Sequence, residues 1–175
     1  MNGHTLILGG VRSGKSRLAE GIARDSGLAV VYVATAQPGD DAMRARIAAH
    51  QARRPADWHL IEEPLALAGI LSRESAPDRC ILVECLTLWL TNLLMNNDEL
   101  RLHTEIEALT ETVAQTPGRL ILVGTETGMG IVPLGELSRR FCDLAGALHQ
   151  TLAQRCDQVI LSVAGLPLAV KGVAS

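Results

Sequence analysis

Gly9-Gly10-Val11-Arg12-Ser13-Gly14-Lys15-Ser16 is the stretch that decides the fold of this 175-residue chain. It satisfies G-x-x-x-x-G-K-[ST], the glycine loop that cradles the phosphates of a nucleoside triphosphate. Before it, Thr5-Leu6-Ile7-Leu8 is a short apolar run suited to a buried strand. After it, Arg17 to Arg24 carries Leu18 and Ile22 one helical turn apart. A strand feeding a glycine loop that opens a helix is the arrangement the chemistry requires. Backbone N–H groups from Gly10 to Lys15 close around a phosphate, and the helix N-terminus adds partial positive charge. In that geometry Lys15 reaches the β and γ oxygens and the Ser16 hydroxyl ligates Mg²⁺.

Composition narrows the remaining classes. A length of 175 residues suits one domain, expected to span residues 1–175, with a substantial core. Aromatic residues make up 2% and the net charge is −3, which argues against a base-stacking or polyanion-binding surface. Lys15 and Lys171 are the two lysines among sixteen basic residues. No N-K-x-D segment of the guanine-reading type exists, and Asp143-Leu144-Ala145-Gly146 falls inside an expected helix. Cys80, Cys85, Cys142 and Cys156 form no C-x-x-C pair, so free thiols in a reducing compartment are expected. Neither a signal peptide nor an apolar run of membrane-spanning length is recognised, and the expected location is the cytoplasm.

Beyond the first helix, strands and helices alternate. Strands are expected at Ala29–Thr35, Trp58–Ile61, Cys80–Glu84, Leu120–Val123, Gln158–Val163 and Leu168–Lys171. Helices are expected from Asp40 or Asp41 to Arg53, Pro64 to Leu71, Leu86 to Met95, Glu99 to Gln115 and Leu134 to Gln154. Alternation of this kind implies crossover connections, hence an α/β fold with a mainly parallel central sheet and helices on both faces. Ligands in such sheets sit beyond the carboxyl ends of the strands, where Thr35, Glu84 and Glu126 fall.

Glu84 closes an apolar strand in the manner of a carboxylate that holds Mg²⁺ or its water shell. In the helix ending at Arg53, Met43, Ile47 and His50 share a face, which suits a core-edge histidine. Arg46 precedes His50 by one turn, and Arg53 and Arg54 follow it by about one. Cations so near disfavour imidazolium and leave a neutral, nucleophilic ring, and they also hold phosphate oxygens. Residue types alone leave these two readings of His50 open. His4, His59, His103 and His149 are expected to be structural or solvated.

Several blocks, in order, resemble the bifunctional adenosylcobinamide kinase / adenosylcobinamide-phosphate guanylyltransferase family of cobalamin biosynthesis. They are Gly9–Ser16, Tyr32–Ala36, HQARRPADW from His50 to Trp58 with Glu62 beyond, and ECLTLWLTNLL from Glu84. ETGMGIVP from Glu126, RRFCDLAGALHQTLA from Arg139 and the closing AGLPLAVKG complete the set. Thr125, Cys142 and His149 depart from that family's usual asparagine, arginine and asparagine.

The resemblance implies a three-layer P-loop NTPase (RecA-like) fold, an oligomer that is commonly a trimer, and two reactions. ATP or GTP phosphorylates adenosylcobinamide, and GMP from GTP is then transferred to adenosylcobinamide phosphate through a covalent guanylyl-histidine, which maps onto His50. Nucleotide contacts map onto Gly9, Gly10, Val11, Arg12, Ser13, Gly14, Lys15 and Ser16. Further contacts map onto Ala34, Thr35, Ala36, Gln51, Ala52, Arg53, Arg54, Glu62 and Glu84. Lys15, Glu84 and His50 are the expected catalytic residues, and Ser16 with Glu84 the expected Mg²⁺ ligands. The competing expectations are a P-loop kinase for another small alcohol, and a non-catalytic, nucleotide-gated RecA-like subunit. A guanylyltransferase that has lost its kinase step is a third.

Overall fold

A computed structural model describes residues 3–39 and 41–172; the side chains of Ala42, Met43, Arg46, Ala49, His50 and Arg53 lie outside that description. The chain runs β1 (Thr5–Gly9), α1 (Lys15–Asp25), β2 (Ala29–Ala34), α2 (Asp41–Arg53), β3 (His59–Glu62), α3 (Leu67–Glu74) and β4 (Arg79–Glu84). It continues through α4 (Leu86–Met95), α5 (Glu99–Gln115), β5 (Arg119–Val123), α6 (Glu136–Arg155), β6 (Gln158–Val163) and β7 (Leu166–Lys171). All seven strands join one sheet in the order β3-β2-β4-β5-β1-β6-β7. Every pairing is parallel except β6 with β7. This is the α/β, mainly parallel sheet that the alternating pattern implies.

Strand alternation divides the core into two layers. Leu6, Val31, Val33, Ile81, Val83, Leu120 and Leu122 face one side, against Trp89, Leu93, Leu109 and Leu148 from α4, α5 and α6. Ile7, Tyr32, Leu82, Ile121 and Val123 face the other, against Ala19 and Ala23 of α1 and against Trp58. Strands buried on both faces read as unbroken apolar runs, which is why they are visible without alternation. Full burial of one such leucine contributes roughly 1.5–3 kcal/mol.

Several boundaries differ from expectation: α6 runs Glu136–Arg155 rather than Leu134 to Gln154, β3 is His59–Glu62 rather than Trp58–Ile61, and two further shifts have a visible cause. The helix expected from Pro64 begins at Leu67 and runs to Glu74. The Glu63 carboxylate accepts the N–H groups of Leu65 (2.9 Å) and Ala66 (2.8 Å), and so holds a turn ahead of the helix. The closing strand starts at Leu166 rather than Leu168, because Ala164 and Gly165 form a tight two-residue turn with φ of 52° and 83°. Two positive φ values in succession match the twist of an antiparallel hairpin. The helix start expected at Asp40 lies outside the described residues, as does the shared face of Met43 and His50.

His4 and His149 are both buried. Burial holds each imidazole below its ordinary pKa and outweighs the opposing pull of Asp157 on His4 and of Glu126 on His149. The unfolded chain therefore takes up protons near pH 6.5 that the folded chain refuses. Stability is full above that pH and falls as the pH drops through it. The thermal midpoint is expected to fall between about pH 7.5 and about pH 5.5, and a His4→Gln/His149→Gln variant to show a shallower fall. An unchanged slope in that variant would contradict the assignment.

Candidate nucleotide site

The glycine loop is held from outside as well as by its own turn. Ser13 N–H donates to the Gly10 carbonyl (3.3 Å), and Leu18 N–H donates to that of Gly14 (3.0 Å). The Ser13 carbonyl accepts two bonds from the β6–β7 hairpin, from the Ser162 hydroxyl (2.7 Å) and from Gly165 N–H (2.8 Å). With its carbonyl engaged there, the loop is supported on the side of the closing hairpin.

Gly9 and Gly14 make this approach possible. At Gly9 (φ +154°) a β-carbon would stand 2.5 Å from the Ser162 carbonyl oxygen; at Gly14 (φ +96°) it would stand 3.0 Å from the Gly165 α-carbon. Lys15 Nζ donates to the Gly10 carbonyl at 2.5 Å, which holds its ammonium over the loop.

Opposite the loop, the Ser16 hydroxyl donates to Glu84 Oε1 at 2.8 Å, joining the start of α1 to the end of β4. A hydroxyl and a carboxylate brought together are the oxygen donors that suit Mg²⁺. The Thr35 hydroxyl secures the strand ends, donating to the Cys85 carbonyl (2.7 Å) and accepting from Cys85 N–H (2.8 Å). The Asn92 amide donates to the carbonyls of Thr35 (2.8 Å) and Pro64 (3.1 Å). Asn92 is the one amide side chain of α4, whose other polar residues are Thr87 and Thr91, and that was the available signal for its role.

Between these elements lies a cavity of about 480 Å³. Val11, Ala34, Ala36, Gln51, Arg54, Glu62 and Glu84 line it, all of them among the nucleotide contacts expected from sequence. Thr35 does not, since its side chain is fully buried in the strand-end network. Ala52 is exposed and also absent from the wall. The side chains of His50 and Arg53 lie outside the described residues. Position 50 nonetheless sits in α2 between Ile47 and Gln51, which both line the cavity.

Sequence reasoning missed Tyr32, Leu60, Leu88, Thr87 and Thr125 in the same wall. Arg54 stacks its guanidinium 5.3 Å from the Tyr32 ring centroid, and that ring stands 6.4 Å from Trp58. Burial raises the Tyr32 phenol above its ordinary value, and Glu84 and Glu20 add to the effect. Cys85, also in the wall, has its thiol pushed up to about 11, by burial first and then by Glu84. A thiol so placed is neutral near pH 7 and a poor nucleophile. Among the described residues no group of three or more His, Cys, Asp or Glu side chains forms a metal site.

Comparison with known proteins gives these features a family. Residues 5–170 match the family model described as cobinamide kinase / cobinamide phosphate guanyltransferase. The chain belongs to the cobinamide kinase / cobinamide phosphate guanyltransferase family. Within it, the chain is 63% identical over 167 residues to the bifunctional adenosylcobalamin biosynthesis protein CobP of Pseudomonas aeruginosa, covering 95% of this chain and 96% of that one. It is 41% identical to the bifunctional adenosylcobalamin biosynthesis protein CobU of Salmonella typhimurium, covering 95% and 98%. The fold is also that of the RadB recombinase, with a TM-score of 0.54 at 17% identity over 91% of this chain and 74% of that one. The three-layer P-loop architecture is thus common to this cobinamide kinase / guanyltransferase chain and to RecA-like proteins.

Gly14→Ala would place a methyl group against Gly165 and strain a positive φ. Nucleotide affinity is expected to fall by about tenfold or more, equivalent to about 1.4 kcal/mol, in a titration with a fluorescent triphosphate. Affinity equal to that of the unaltered protein would show that the loop does not need this approach.

Proposed function

We propose that the chain is one kinase and guanylyltransferase domain, residues 1–175, that carries out two successive transfers on a corrinoid. In the first, the aminopropanol hydroxyl of adenosylcobinamide attacks the γ-phosphorus of ATP or GTP. A P–O bond forms, the bond to the β-phosphate bridging oxygen breaks, and the nucleoside diphosphate leaves. In the second, a neutral His50 ring nitrogen attacks the α-phosphorus of GTP and pyrophosphate leaves. An oxygen of adenosylcobinamide phosphate then attacks the same phosphorus, the N–P bond breaks, and adenosylcobinamide-GDP is formed.

The observation that carries this reading is that Val11 of the glycine loop and Ile47, Gln51 and Arg54 around position 50 line one cavity. A triphosphate whose β and γ groups rest in Gly9–Ser16 then extends toward α2. Family membership supports the same two reactions, and the high pKa of Cys85 leaves histidine as the better nucleophile in this setting.

Lys15 would neutralise the β and γ oxygens, and Arg53 and Arg54 would hold charged oxygens during both halves of the guanylyl transfer. Ser16 and Glu84 would hold Mg²⁺, which when bound neutralises phosphate charge. Glu84 is also the candidate to take up the proton of the attacking hydroxyl. Ala34, Thr35, Ala36, Gln51, Ala52 and Glu62 complete the proposed nucleotide contacts.

Homo-oligomeric assembly, trimeric by resemblance, belongs to this reading. The edge strand β7 supports it, because Leu166, Leu168 and Val170 are exposed there. A cytoplasmic location also goes with it; among the described residues no helix is long and apolar enough to cross a membrane.

Incubation with GTP labelled at the α-phosphorus is expected to leave an acid-labile label on the protein. The label should be lost in His50→Ala and discharged by adenosylcobinamide phosphate. Full labelling of His50→Ala would refute the histidine assignment. A kinase for another small alcohol, or a nucleotide-gated subunit, would show no covalent GMP.

A further inference from the structure

A second cavity of about 380 Å³ lies between α4 and α6, beside the nucleotide cleft. Leu94, Met95, Pro133, Leu137 and Phe141 form most of its wall, with hydroxyls from Thr91, Thr127 and Ser138. We propose that this groove is the corrinoid subsite, holding the apolar edge of the macrocycle while its alcohol arm reaches the phosphates; the proposal rests on the function given above.

Space, continuity and charge carry the inference. A cavity of about 480 Å³ is of the size that takes one ligand, in the usual range of about 300–1,000 Å³, so a nucleotide there leaves the macrocycle to bind alongside. Thr127 lines both cavities, so the groove opens where the nucleotide cleft ends.

The segment between them is tied at both sides. Glu126 N–H donates to the carbonyl of Gly9, the first residue of the phosphate loop, at 3.0 Å. The Thr127 hydroxyl meets Cys142 Sγ of α6 at 3.7 Å. A ligand in the groove would therefore touch the segment that is bonded to the first residue of the phosphate loop.

The two walls differ in charge. Arg54, Glu62 and Glu84 line the nucleotide cleft, whereas among the described residues no Asp, Glu, Lys, Arg or His lines the groove. An uncharged wall with hydroxyls rejects a second nucleotide, because a desolvated polyanion would find no counter-charge. It suits a macrocycle with methyl and methylene edges and neutral amides, the periphery that a corrinoid presents. Close in sequence to Pro133 of the wall, Ile131 is 97% and Leu134 96% exposed, which leaves apolar surface for a large ligand to cover.

Met95→Ala and Leu137→Asn test this, since both side chains are largely exposed and neither supports the core. Binding of adenosylcobinamide to the full chain, measured by equilibrium dialysis with the nucleotide site filled by a non-hydrolysable ATP analogue, is expected to weaken by about tenfold in each. The KM for adenosylcobinamide should rise in step, while covalent label from GTP alone still forms. Unchanged corrinoid affinity in both variants would overturn the subsite. So would weaker binding that accompanies a change in sedimentation, since the face would then be an interface between copies. If the unaltered protein binds adenosylcobinamide and the variants do not, yet no triphosphate is consumed, the subsite stands and the proposed reactions fall.

Discussion

The Ser13 carbonyl, gripped by Ser162 and Gly165, is the contact on which the site depends. A phosphate-binding loop works by directing several backbone N–H groups at one anion, and those groups must already be oriented when the ligand arrives. In this chain the closing hairpin, some 150 residues away in sequence, supplies that support. Two hydrogen bonds of this kind contribute roughly 1–3 kcal/mol together, enough to favour one loop conformation strongly. On the other flank, the contact from Ser16 to Glu84 ties the start of α1 to the end of β4, two places from β1 in the sheet.

From that anchor the surroundings divide by charge. One cleft carries Arg54, Glu62 and Glu84 and runs along α2; the adjoining groove is uncharged and runs between α4 and α6. The segment from Gly124 to Pro133 lies between them, bonded at Glu126 to the base of the loop. In the proposed chemistry this separation matters. A triphosphate needs counter-charge and a neutral macrocycle needs apolar contact, and a single wall cannot serve both well.

Much of this was legible in the sequence, for identifiable reasons. The loop could be read because its residue types are dictated by backbone geometry, and the parallel strands because burial on both faces removes polar residues. Leu86–Met95 and Glu99–Gln115 have the bounds expected of them, since Asn96, Asn97 and Asp98 break the helical pattern and Asp98 caps the second helix. The start of α3 was not legible, because a glutamate side chain, rather than the helix itself, satisfies the N–H groups after Pro64. The hairpin's hold on the loop was equally hidden, since Gly165 signals a turn and says nothing about what the turn touches. Ala34, Ala36, Gln51 and Glu62 came from family resemblance, since no periodicity or spacing singles them out; Arg54 was already marked by its place one turn beyond His50.

The central claim is that a triphosphate spans from the glycine loop into the cleft beside α2. It is tested most directly by a crystal structure of the protein with a non-hydrolysable GTP analogue and Mg²⁺. The β- and γ-phosphates are expected within Gly9–Ser16, the metal on Ser16 and Glu84, and the nucleoside between Ala34–Ala36, Arg54 and Glu62, with the His50 ring facing the α-phosphorus. Phosphates bound elsewhere, or a nucleoside directed away from α2, would contradict it.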